Sequence, residues 1–508
     1  MAPVLTVYFT SDIHGFVFPT NHADQNIKPM GLLGMIPQFH KDGNTLILDC
    51  GDTIQGSPLT YYCQKVSLPN PMIPVMNAAG YDYVTLGNHD FNYGYDVLKD
   101  YLDGIEAKCV CANVRDVSDN LSILPYVLHT LENGLRIGIT GVVTSWVNRW
   151  EKADTLEHFE ITDPFQAAKN ALTAMASQAD FTICLYHGGI EKDLSTGRLL
   201  SDTDENIACR ICEELDFDLL LTGHQHIPLE NKTYCGTHLV QPPASATHFV
   251  KVDWQEAGEI SSVLIPSNPH QMPPLADSLV PLKNALDVWL DAPVGCLNMP
   301  LWPSAKLDMA LNGTPIANFI NQVQLEATGA DVSCTSLPNE MRGFDKNVSV
   351  RDVVATYVYA NTLVVYHVNG AILKEALERC ASYFDVLADG EIIIAQDFLQ
   401  PKVAHYNYDF FAGISYTFDL SQPVGRRVTS ILHHGRSVGL ADKLTLCMNN
   451  YRATGVGGYE AYLKCPRIRE INVDVSELLL DYLLKHRNVT VSSESPLTIL
   501  YPKARISL

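Results

Sequence analysis

The chain has 508 residues, 46% of them hydrophobic, and a net charge of −22 from 57 acidic and 35 basic residues. This length exceeds one typical core and predicts two or more domains, and the apolar content excludes a disordered chain. The acidic balance argues against a nucleic-acid polymer as a ligand, because the sequence has no basic stripe that could displace counterions from its phosphates. A small phosphorylated substrate is still compatible with this charge if bound metals supply positive charge locally.

Five short hydrophobic runs in the first half of the chain each lead into Asp, Asn or His. The runs and the residues that follow them are 4–10 before Asp12 and His14, 46–48 before Asp52, 83–86 before Asn88, 181–186 before His187, and 219–221 before His224 and His226. A sixth strand-like run, 136–143, ends without such a residue. In an open α/β sheet, sites form at the carboxyl ends of the strands, so these seven side chains are expected on one rim.

Seven oxygen and nitrogen donors suffice for two metal ions that share a bridging carboxylate. Two neighbouring metal ions are suited to displacement at phosphorus. A single His at a strand end is normally a surface or capping residue, so the prediction depends on the five segments together. The sequence therefore predicts a two-metal site for phosphoryl chemistry.

The first 250 residues alternate strand-like runs with helix-like ones, such as 163–178 and 204–215. That alternation predicts βαβ units and a mostly parallel, helix-covered sheet. The Pro-rich segment 265–274 is expected to be a surface loop that leaves the first domain.

Two predicted helices follow that loop, and after them the pattern of predicted elements changes. A helix is predicted at 278–290, and a second begins at Thr314 as N-cap, with Pro315 at its first position, and ends at Gly329. This second helix is interpreted as an inter-domain helix. From residue 331 the pattern indicates an α+β domain. Its predicted elements are strands at 362–368, 413–418 and 443–448 and a helix at 371–383. The predicted domains are thus 1–275, a connecting segment 276–330, and 331–508.

The cysteines and the chain start bear on the compartment. The 13 cysteines are odd in number and lie in strand-like and helix-like runs, which favours reduced thiols in a cytosolic protein. Cys50, beside Gly51 and Asp52, is interpreted as an inward-facing strand residue rather than a ligand. The start has no basic and apolar leader pattern, and no stretch reaches 18 apolar residues, so a cytoplasmic protein without a membrane span is expected.

The motifs together resemble the calcineurin-like metallophosphoesterase superfamily. They are SDIHG at 11–15, GDTIQGSP at 51–58, GNHDFNYG at 87–94, HGG at 187–189 and GHQH at 223–226. More narrowly, the chain resembles the two-domain 5′-nucleotidase family. Three further segments are similar to bacterial 2′,3′-cyclic-nucleotide 2′-phosphodiesterase/3′-nucleotidases: VYANTL at 358–363, YNYDFFAGISYTFDL at 406–420 and NNYRATGVGGY at 449–459.

The resemblance implies a fold and a division of the metal ligands. The fold is α/β, with an N-terminal β-sandwich of mixed sheets flanked by helices (αββα) and an α+β C-terminal domain. One metal is placed on Asp12, His14, Asp52 and His226, and the second on Asp52, Asn88, His187 and His224. Carboxylates, imidazoles and an amide oxygen suit Mn, Zn, Fe or Co, and the sequence leaves the choice among them open.

The resemblance also places His89 against the phosphate of the substrate. In ordinary 5′-nucleotidases the partner of this histidine is an Asp three residues on, where this chain has Asn92. An amide can orient an imidazole but cannot stabilise imidazolium as a carboxylate does, so we expect Asn92→Asp to be tolerated. Asp90 is an alternative partner, although adjacent side chains in a turn rarely face each other.

In the C-terminal domain the family holds the base between two aromatic rings, which alignment places at Tyr359 and Tyr451. Stacking tolerates any base, because every base has a π-face. Many 5′-nucleotidases have an Asp where this chain has Gly457, so ribose recognition is expected to differ. Asn339 and Arg342 are the nearest candidates for phosphate contacts.

The sequence thus favours a dinuclear-metal phosphoesterase for small nucleotides. The best match is hydrolysis of 2′,3′-cyclic nucleotides at the 2′ bond, followed by hydrolysis of 3′-nucleotides. The alternatives are a 5′-nucleotidase or UDP-sugar hydrolase, and a non-catalytic nucleotide-binding protein.

Overall fold

The computed structural model describes residues 3–24, 26–199, 204–359, 361–400, 402–471 and 473–500. Met1 and Ala2, at the start of the expected leaderless N-terminus, lie outside these ranges. The chain folds into two compact units, unit 1 at residues 1–286 and unit 2 at residues 287–508. The finer bounds 1–275, 276–330 and 331–508 stay a prediction.

Unit 1 combines two large sheets with helices on their outer faces. Its described strands are β1 Leu5–Thr10, β2 Thr45–Asp49, β3 Tyr83–Val84, β4 Lys108–Val110, β5 Val114–Asp116, β6 Ile123–Leu124, β7 Tyr126–Thr130, β8 Arg136–Val143, β9 Phe159–Ile161, β10 Phe181–His187, β11 Leu219–Thr222, β12 Leu229–Tyr234, β13 Thr237–Gln241, β14 His248–Trp254 and β15 Ile260–Pro266. Its described helices are α1 Pro58–Lys65, α2 Met72–Ala79, α3 Tyr95–Gly104, α4 Val147–Trp150, α5 Ala153–Leu156, α6 Pro164–Met175 and α7 Ala208–Glu214, and α8 Leu275–Leu290 crosses into unit 2.

The strand order of the first sheet is β15-β14-β1-β2-β3-β4-β6, and that of the second is β12-β13-β11-β10-β8-β7. Each sheet has a parallel centre and antiparallel pairing towards an edge, such as β1 with β14 and β7 with β8. The central strands β1, β2, β10 and β11 are almost entirely buried because both faces of each sheet are covered there, whereas the edge strands β12 and β15 are partly exposed.

One core lies between the two sheets of unit 1. Val7 and Phe9 from the first sheet share a buried cluster with Ile139 and Ile183 from the second. On the outer face of the second sheet, α6 and α7 contribute Ala168 and other apolar residues to a separate cluster. The expected sandwich of mixed sheets flanked by helices is therefore confirmed. The strand alternation alone suggested a single mostly parallel sheet, which is wrong because the chain switches sheets after β6.

Unit 2 has the expected α+β character. Its described strands are β16 Pro293–Leu297, β17 Val332–Ser336, β18 Asn347–Ser349, β19 Leu363–Asn369, β20 Phe384–Val386, β21 Ile392–Ile394, β22 Asp409–Ala412, β23 Ile414–Asp419, β24 Val428–His433, β25 Arg436–Ser437, β26 Lys443–Asn449, β27 Arg467–Ile471, β28 Asn488–Val489 and β29 Leu497–Leu500. Its described helices are α9 Lys306–Asn312, α10 Pro315–Thr328, α11 Val350–Thr356, α12 Gly370–Ala381, α13 Asn450–Ala453 and α14 Val475–His486. The largest sheet has the order β22-β17-β26-β19-β27.

Helix α10 shows why its sequence signals were readable. The Thr314 side chain accepts a hydrogen bond from the Ile316 amide, Pro315 occupies the first turn, and Gly329 ends the helix in the left-handed conformation at φ +60°. The buried face of α10 packs against β17 and α14. The helix thus belongs to the core of unit 2.

Two predicted helix starts differ from the structure. The helix expected from residue 204 begins at Ala208, because the Glu205 carbonyl and the Asn206 side chain instead accept hydrogen bonds from Thr144 and Gly189. The helix expected from residue 278 begins earlier, at Leu275. Across the described ranges, no helix is both long and apolar enough to cross a membrane.

Candidate metal centre

The seven predicted donor side chains lie together at one rim of unit 1. Asp12 and His14 follow β1, Asp52 follows β2, His187 ends β10, and the pair His224 and His226 follows β11. Asn88 begins the short helical turn after β3. Strands from both sheets therefore deliver donors to the same edge, as expected for the carboxyl ends of parallel strands.

One group of donors surrounds Asp12, which is fully buried. Its Oδ1 lies 3.2 Å from Nε2 of His226 and 3.9 Å from Nε2 of His14. The two ring nitrogens Nε2 of His14 and His226 are 3.3 Å apart. Both carboxylate oxygens of Asp12 also accept from the backbone amide of His224, at 3.1 Å.

A second group surrounds Asn88 and Asp52. The amide oxygen of Asn88 lies 3.2 Å from Nε2 of His187 and 2.9 Å from Nδ1 of His224. Oδ2 of Asp52 lies 3.2 Å from Nε2 of His187 and 3.9 Å from Nε2 of His14. Asp52 therefore lies between the two groups, where a bridging ligand would be needed.

Hydrogen bonds on the outer side of the rings orient three of the histidines. Nδ1 of His14 lies 3.0 Å from the carbonyl oxygen of Gln55, and Nδ1 of His187 lies 2.6 Å from that of Cys50. Since a carbonyl only accepts, each Nδ1 carries a proton and each Nε2 faces the other donors. His224 is turned the other way: its Nε2 lies 3.0 Å from Oε1 of Glu205 on the outer side, and its Nδ1 faces Asn88.

Buried carboxylates determine the electrostatics of the rim. Burial alone would raise the pKa of Asp52, but the charges of His187 and His89 hold it well below its ordinary value. Burial likewise opposes the charge on His187, yet Asp52 and Asp12 raise the pKa of His187 to about 10. His14, by contrast, has its pKa lowered by burial to about 4. A cation at this rim would replace the positive charge of the His187 proton, so the donor set fits divalent metal ions.

The backbone at the rim is strained. Five of the seven donors adopt positive φ, between 51° and 71°, a region that non-glycine residues rarely occupy; they are Asp12, His14, Asp52, His224 and His226. Such conformations persist only where surrounding structure holds them, and they cluster at functional sites.

Asp90 and Gly87 hold the loop that carries Asp52. The Asp90 carboxylate accepts from the backbone amides of Asp52, Thr53, Ile54 and Gly87, at 2.8 to 3.1 Å. A side chain at Gly87 would collide with Oδ1 of Asp52. Asp90 thus faces the backbone of this loop, and it is a structural residue that the sequence did not identify as such.

His89 pairs with Asn92, as the resemblance implied. Nδ1 of His89 lies 2.7 Å from Oδ1 of Asn92. Nδ2 of the same carboxamide donates to Oε2 of Glu151 at 2.8 Å. This contact argues against the expectation that Asn92→Asp is tolerated, because a carboxylate at this position would face Glu151 at hydrogen-bond distance; the outcome of the substitution stays a prediction.

Glu205 and Trp150 back His224 and were missed by sequence reasoning. Oε1 of Glu205 lies 3.0 Å from Nε2 of His224, which leaves Nδ1 to face Asn88. The Trp150 ring lies over the His224 ring with centroids 5.6 Å apart and a 21° angle between planes. Glu205 precedes α7 and Trp150 ends the short helix α4, and neither belongs to a recognisable sequence pattern.

Cys50 is not among the donors. Its thiol is fully buried and contacts the carbonyl oxygen of Leu221 at 3.5 Å. Burial raises the pKa of this thiol well above its ordinary value, which opposes the thiolate form that metals require.

In unit 2, Tyr359 and Tyr451 lie at the same end of two paired strands. Tyr359 precedes β19 and Tyr451 follows β26, and the antiparallel register pairs Leu363 with Asn449. The amide of Asn450 donates to the carbonyl of Thr362 at 2.9 Å and continues that pairing. Both tyrosines are half-buried.

Buried Arg452 anchors the short helix α13, which also carries Tyr451. Its guanidinium pairs with Asp409 at 2.9 Å and donates to the carbonyls of Val456 and Tyr406 at 2.6 and 2.7 Å. At Gly457, with φ +78°, an added Cβ would lie 2.4 Å from Oδ1 of Asn407 and 2.6 Å from a guanidinium nitrogen of Arg452, so these side chains would have to shift.

The two candidate phosphate contacts are already engaged within unit 2. Arg342 donates to Oδ1 of Asp352 at 2.6 Å, and its side chain is 30% exposed. Asn339 donates to the carbonyl of Val403 at 2.7 Å and accepts from the amide of His405. Their contacts are those of loop-holding residues, and a role towards phosphate stays a prediction.

Two family models match this chain. The calcineurin-like phosphoesterase model matches residues 5–228, and the 5′-nucleotidase C-terminal domain model matches residues 300–464. The trifunctional nucleotide phosphoesterase YfkN of Bacillus subtilis is 24% identical over 97% of this chain, which spans 38% of that protein. A 2′,3′-cyclic-nucleotide 2′-phosphodiesterase/3′-nucleotidase of Haemophilus influenzae is 24% identical, over 89% of this chain and 80% of its own length.

Solved structures show the same two-domain fold. The structure of a candidate 5′-nucleotidase from Staphylococcus aureus, in complex with alpha-ketoglutarate, is 32% identical, with a TM-score of 0.88 over 98% of this chain and 99% of that one. A 5′-nucleotidase precursor from Thermus thermophilus is 20% identical, with a TM-score of 0.66 over 98% of this chain and 99% of its own, and is similar in fold.

Proposed function

This chain belongs to the 5′-nucleotidase family of calcineurin-like phosphoesterases, and we propose that it hydrolyses 2′,3′-cyclic nucleotides at the 2′ bond and then 3′-nucleotides. The family consists of nucleotidases and other phosphoesterases, and calcineurin-like phosphoesterases use two divalent metal ions. The observation that carries the proposal is the rim of seven oxygen and nitrogen donors around Asp52. The Haemophilus influenzae relative, which bears the name of this activity, supports the choice of substrate.

We assign the two ions to the seven rim side chains, with Asp52 between them. The ligands proposed are Asp12, His14, Asp52, Asn88, His187, His224 and His226. Manganese, zinc, iron and cobalt all suit this mixed donor set. When bound, such ions activate water at neutral pH and neutralise charge on phosphoryl oxygens.

In the first proposed step, a water oxygen bonds to phosphorus and the bond from phosphorus to the 2′ oxygen breaks. The 2′ oxygen leaves with a proton, and the product is a 3′-nucleotide. A second water then breaks the bond from phosphorus to the 3′ oxygen, which releases nucleoside and phosphate. His89, held at Nδ1 by Asn92, has its other ring nitrogen available to carry a proton to phosphoryl or leaving oxygens.

Unit 2 is proposed to bind the base. Tyr359 and Tyr451 emerge at the same end of β19 and β26, and each can offer a ring face to a purine or pyrimidine. The anchoring of the adjacent Arg452 by Asp409 supports this role, because it holds the short helix α13 in which Tyr451 lies.

A 5′-nucleotidase or UDP-sugar hydrolase is the second candidate. The Staphylococcus aureus structure, at 32% identity, is described as a candidate 5′-nucleotidase and favours it. Gly457 counts against it, because it stands where many 5′-nucleotidases have an Asp, and an added Cβ there would displace the side-chain ends of Asn407 and Arg452.

Product analysis with 2′,3′-cAMP, 3′-AMP, 5′-AMP and UDP-glucose, side by side and with added Mn²⁺, distinguishes these functions. We expect 2′,3′-cAMP to give 3′-AMP and then adenosine. Preferential turnover of 5′-AMP or UDP-glucose would support the second candidate. Binding of these nucleotides without hydrolysis of any of them, or of bis-p-nitrophenyl phosphate, would indicate a non-catalytic binding protein.

A reducing, cytoplasmic setting is proposed as well. All 13 cysteines are free thiols and ten of them are buried. Disulfides are rare where thiols are kept reduced. Alkylation of the unfolded chain taken directly from its native cells should modify 13 thiols, and a lower count without reductant would contradict this setting.

A further inference from the structure

The loop after β8 reaches the site from behind, although β8 contributes no donor of its own. Trp146 donates to Asp204, next to Glu205, and Trp150 covers His224. The next residue, Glu151, turns towards Asn92 on the other side of the site. One short segment, residues 146–151, therefore backs both the ligand His224 and the reacting histidine His89.

The hydrogen bonds around Asn92 have a fixed direction. Burial raises the pKa of Glu151, and the hydrogen bonds from Lys152 and Asn92 oppose that rise. In its ionised form the carboxylate only accepts hydrogen bonds, so it requires the NH₂ group of Asn92 to point towards it. The carboxamide oxygen then points at His89, at 2.7 Å from Nδ1. An oxygen only accepts, so Nδ1 of His89 must be the nitrogen that donates.

Without Glu151, nothing in this chain of contacts would distinguish the two ends of the amide. A carboxamide rotated by 180° would place its NH₂ group against Nδ1 of His89 and move the proton of the neutral ring to the opposite nitrogen. That nitrogen would then be unable to accept a proton in the site. The second oxygen of Glu151 accepts from the backbone amide of Lys152 at 2.7 Å, so the carboxylate is itself held in place.

We propose that Glu151 is a positioning residue that orients His89 through the carboxamide of Asn92. The proposal deepens the function proposed above and rests on it. It assigns to Glu151 the negative charge that ordinary 5′-nucleotidases have directly beside the histidine, moved one side chain further out. The Glu151 side chain accepts hydrogen bonds from Asn92 and from the backbone of Lys152, so the hydrogen-bonded path from Glu151 to His89 runs through Asn92.

Exchanging the carboxylate and the carboxamide between positions 151 and 92 tests the chain of contacts from Glu151 through Asn92 to His89, which we call the relay. Asn92→Asp places two carboxylates about 2.8 Å apart and is expected to lower kcat by about 10-fold or more, as is common for partners of this kind. Glu151→Gln loosens the amide orientation and is expected to lower kcat by about 10-fold. The double variant Asn92→Asp/Glu151→Gln restores an acceptor beside His89 and a donor behind it, so kcat should recover to within about 3-fold of the unaltered chain.

The assays use bis-p-nitrophenyl phosphate and 2′,3′-cAMP at pH 8, well above the ordinary pKa of a carboxyl group, and Glu157→Gln is the control for an exposed nearby glutamate. KM and the metal content of each variant should change little, which separates positioning from loss of ligands. Independent, multiplying losses in the double variant, or full activity of Asn92→Asp alone, would overturn the proposal. Absence of turnover by the unaltered chain would instead count against the proposed function.

A spectroscopic readout tests the relay even if activity is absent. In the zinc-loaded chain labelled with ¹⁵N-histidine, the signal lost in His89→Ala identifies His89. We expect this ring to carry its proton on Nδ1, and we expect that preference to be lost in Glu151→Ala. An unchanged tautomer in a folded Glu151→Ala chain would refute the proposal.

Discussion

Nε2 of His187 lies 3.2 Å from Oδ2 of Asp52, and the two side chains are 0% and 1% exposed. Each holds the other in its charged form, since Asp52 raises the pKa of His187 and His187 lowers that of Asp52. The pair joins the ends of β2 and β10, which belong to different sheets. It is therefore both an electrostatic centre of the rim and a link between the two layers of unit 1.

Asp52→Asn is expected to abolish turnover and lower the metal content, because it removes the carboxylate that we propose to lie between both ions. Metal per chain is measured by elemental analysis after gel filtration, alongside hydrolysis of bis-p-nitrophenyl phosphate with Mn²⁺. Asp96→Asn, on the exposed surface, is the control. Two tightly bound ions and a near-normal rate in Asp52→Asn would rule out the two-metal assignment.

His89→Ala should leave the metal content intact and lower kcat by about 10²-fold or more, as expected for a group that acts on the transition state. The same elemental analysis and steady-state kinetics separate these effects. His270→Ala, in a loop outside the site, serves as the control. If the variant loses metal in parallel with activity, His89 is a ligand and its assignment here is wrong.

Replacing Tyr359 or Tyr451 by Ala should weaken nucleotide binding by ~1–3 kcal/mol, because one stacking face is lost. The rise in KM for 2′,3′-cAMP reports this loss, whereas hydrolysis of bis-p-nitrophenyl phosphate, which has no base, should change little. Phe at either position keeps the ring and is the matched control. Equal losses on both substrates would mean that the two tyrosines only support the fold.

Gly457→Asp should lower the melting temperature rather than convert the substrate preference. The added side chain meets Asn407 and Arg452 in a backbone conformation with φ +78°. Gly435 has nearly the same backbone, at φ +73°, but faces open space, so Gly435→Asp measures the cost of the conformation alone. That cost is about 1–2 kcal/mol, and the excess in Gly457→Asp reports crowding. Equal shifts in the two variants would contradict this account.

We expect the ionisation of Asp116 to make the free energy of unfolding depend on pH in the acidic range. Burial alone would raise its pKa, but hydrogen bonds from Ser118, Tyr95 and Asn120 hold the pKa of Asp116 at about 2. Because the folded pKa lies below the unfolded value, this stabilisation is complete above roughly pH 5 and is lost as the pH falls towards 2.

The free energy of unfolding in urea, measured from pH 7 down to pH 3, tests this dependence. Asp116→Asn should be less stable than the unaltered chain at pH 7, and the gap should narrow below about pH 4. Asp119→Asn, on the same turn but exposed, is the control and should show no such trend. A gap that stays constant down to pH 3 would contradict the assignment.

The donors were predictable because each follows a hydrophobic strand, and parallel strands bring their carboxyl ends to one edge. Helix α10 was predictable because Thr314 and Gly329 are local signals that act within a few residues. Glu151 and Glu205 were not, since their partners Asn92 and His224 lie 59 and 19 residues away and only the packing of loops brings them together. The helix expected from residue 204 failed for the same reason, because tertiary hydrogen bonds used the residues that would have formed its first turn.

Left-handed backbone conformations lower the stability of the fold, and this rim has five of them among its donors: Asp12, His14, Asp52, His224 and His226. A glycine at such a position would relieve the strain and remove the donor at the same time. His226, with a side chain 35% exposed, lies at the outer edge of this group, where lost packing would cost least. A selection for thermal resistance alone would therefore be expected to favour glycine there and to erode catalysis, a trade between durability and function.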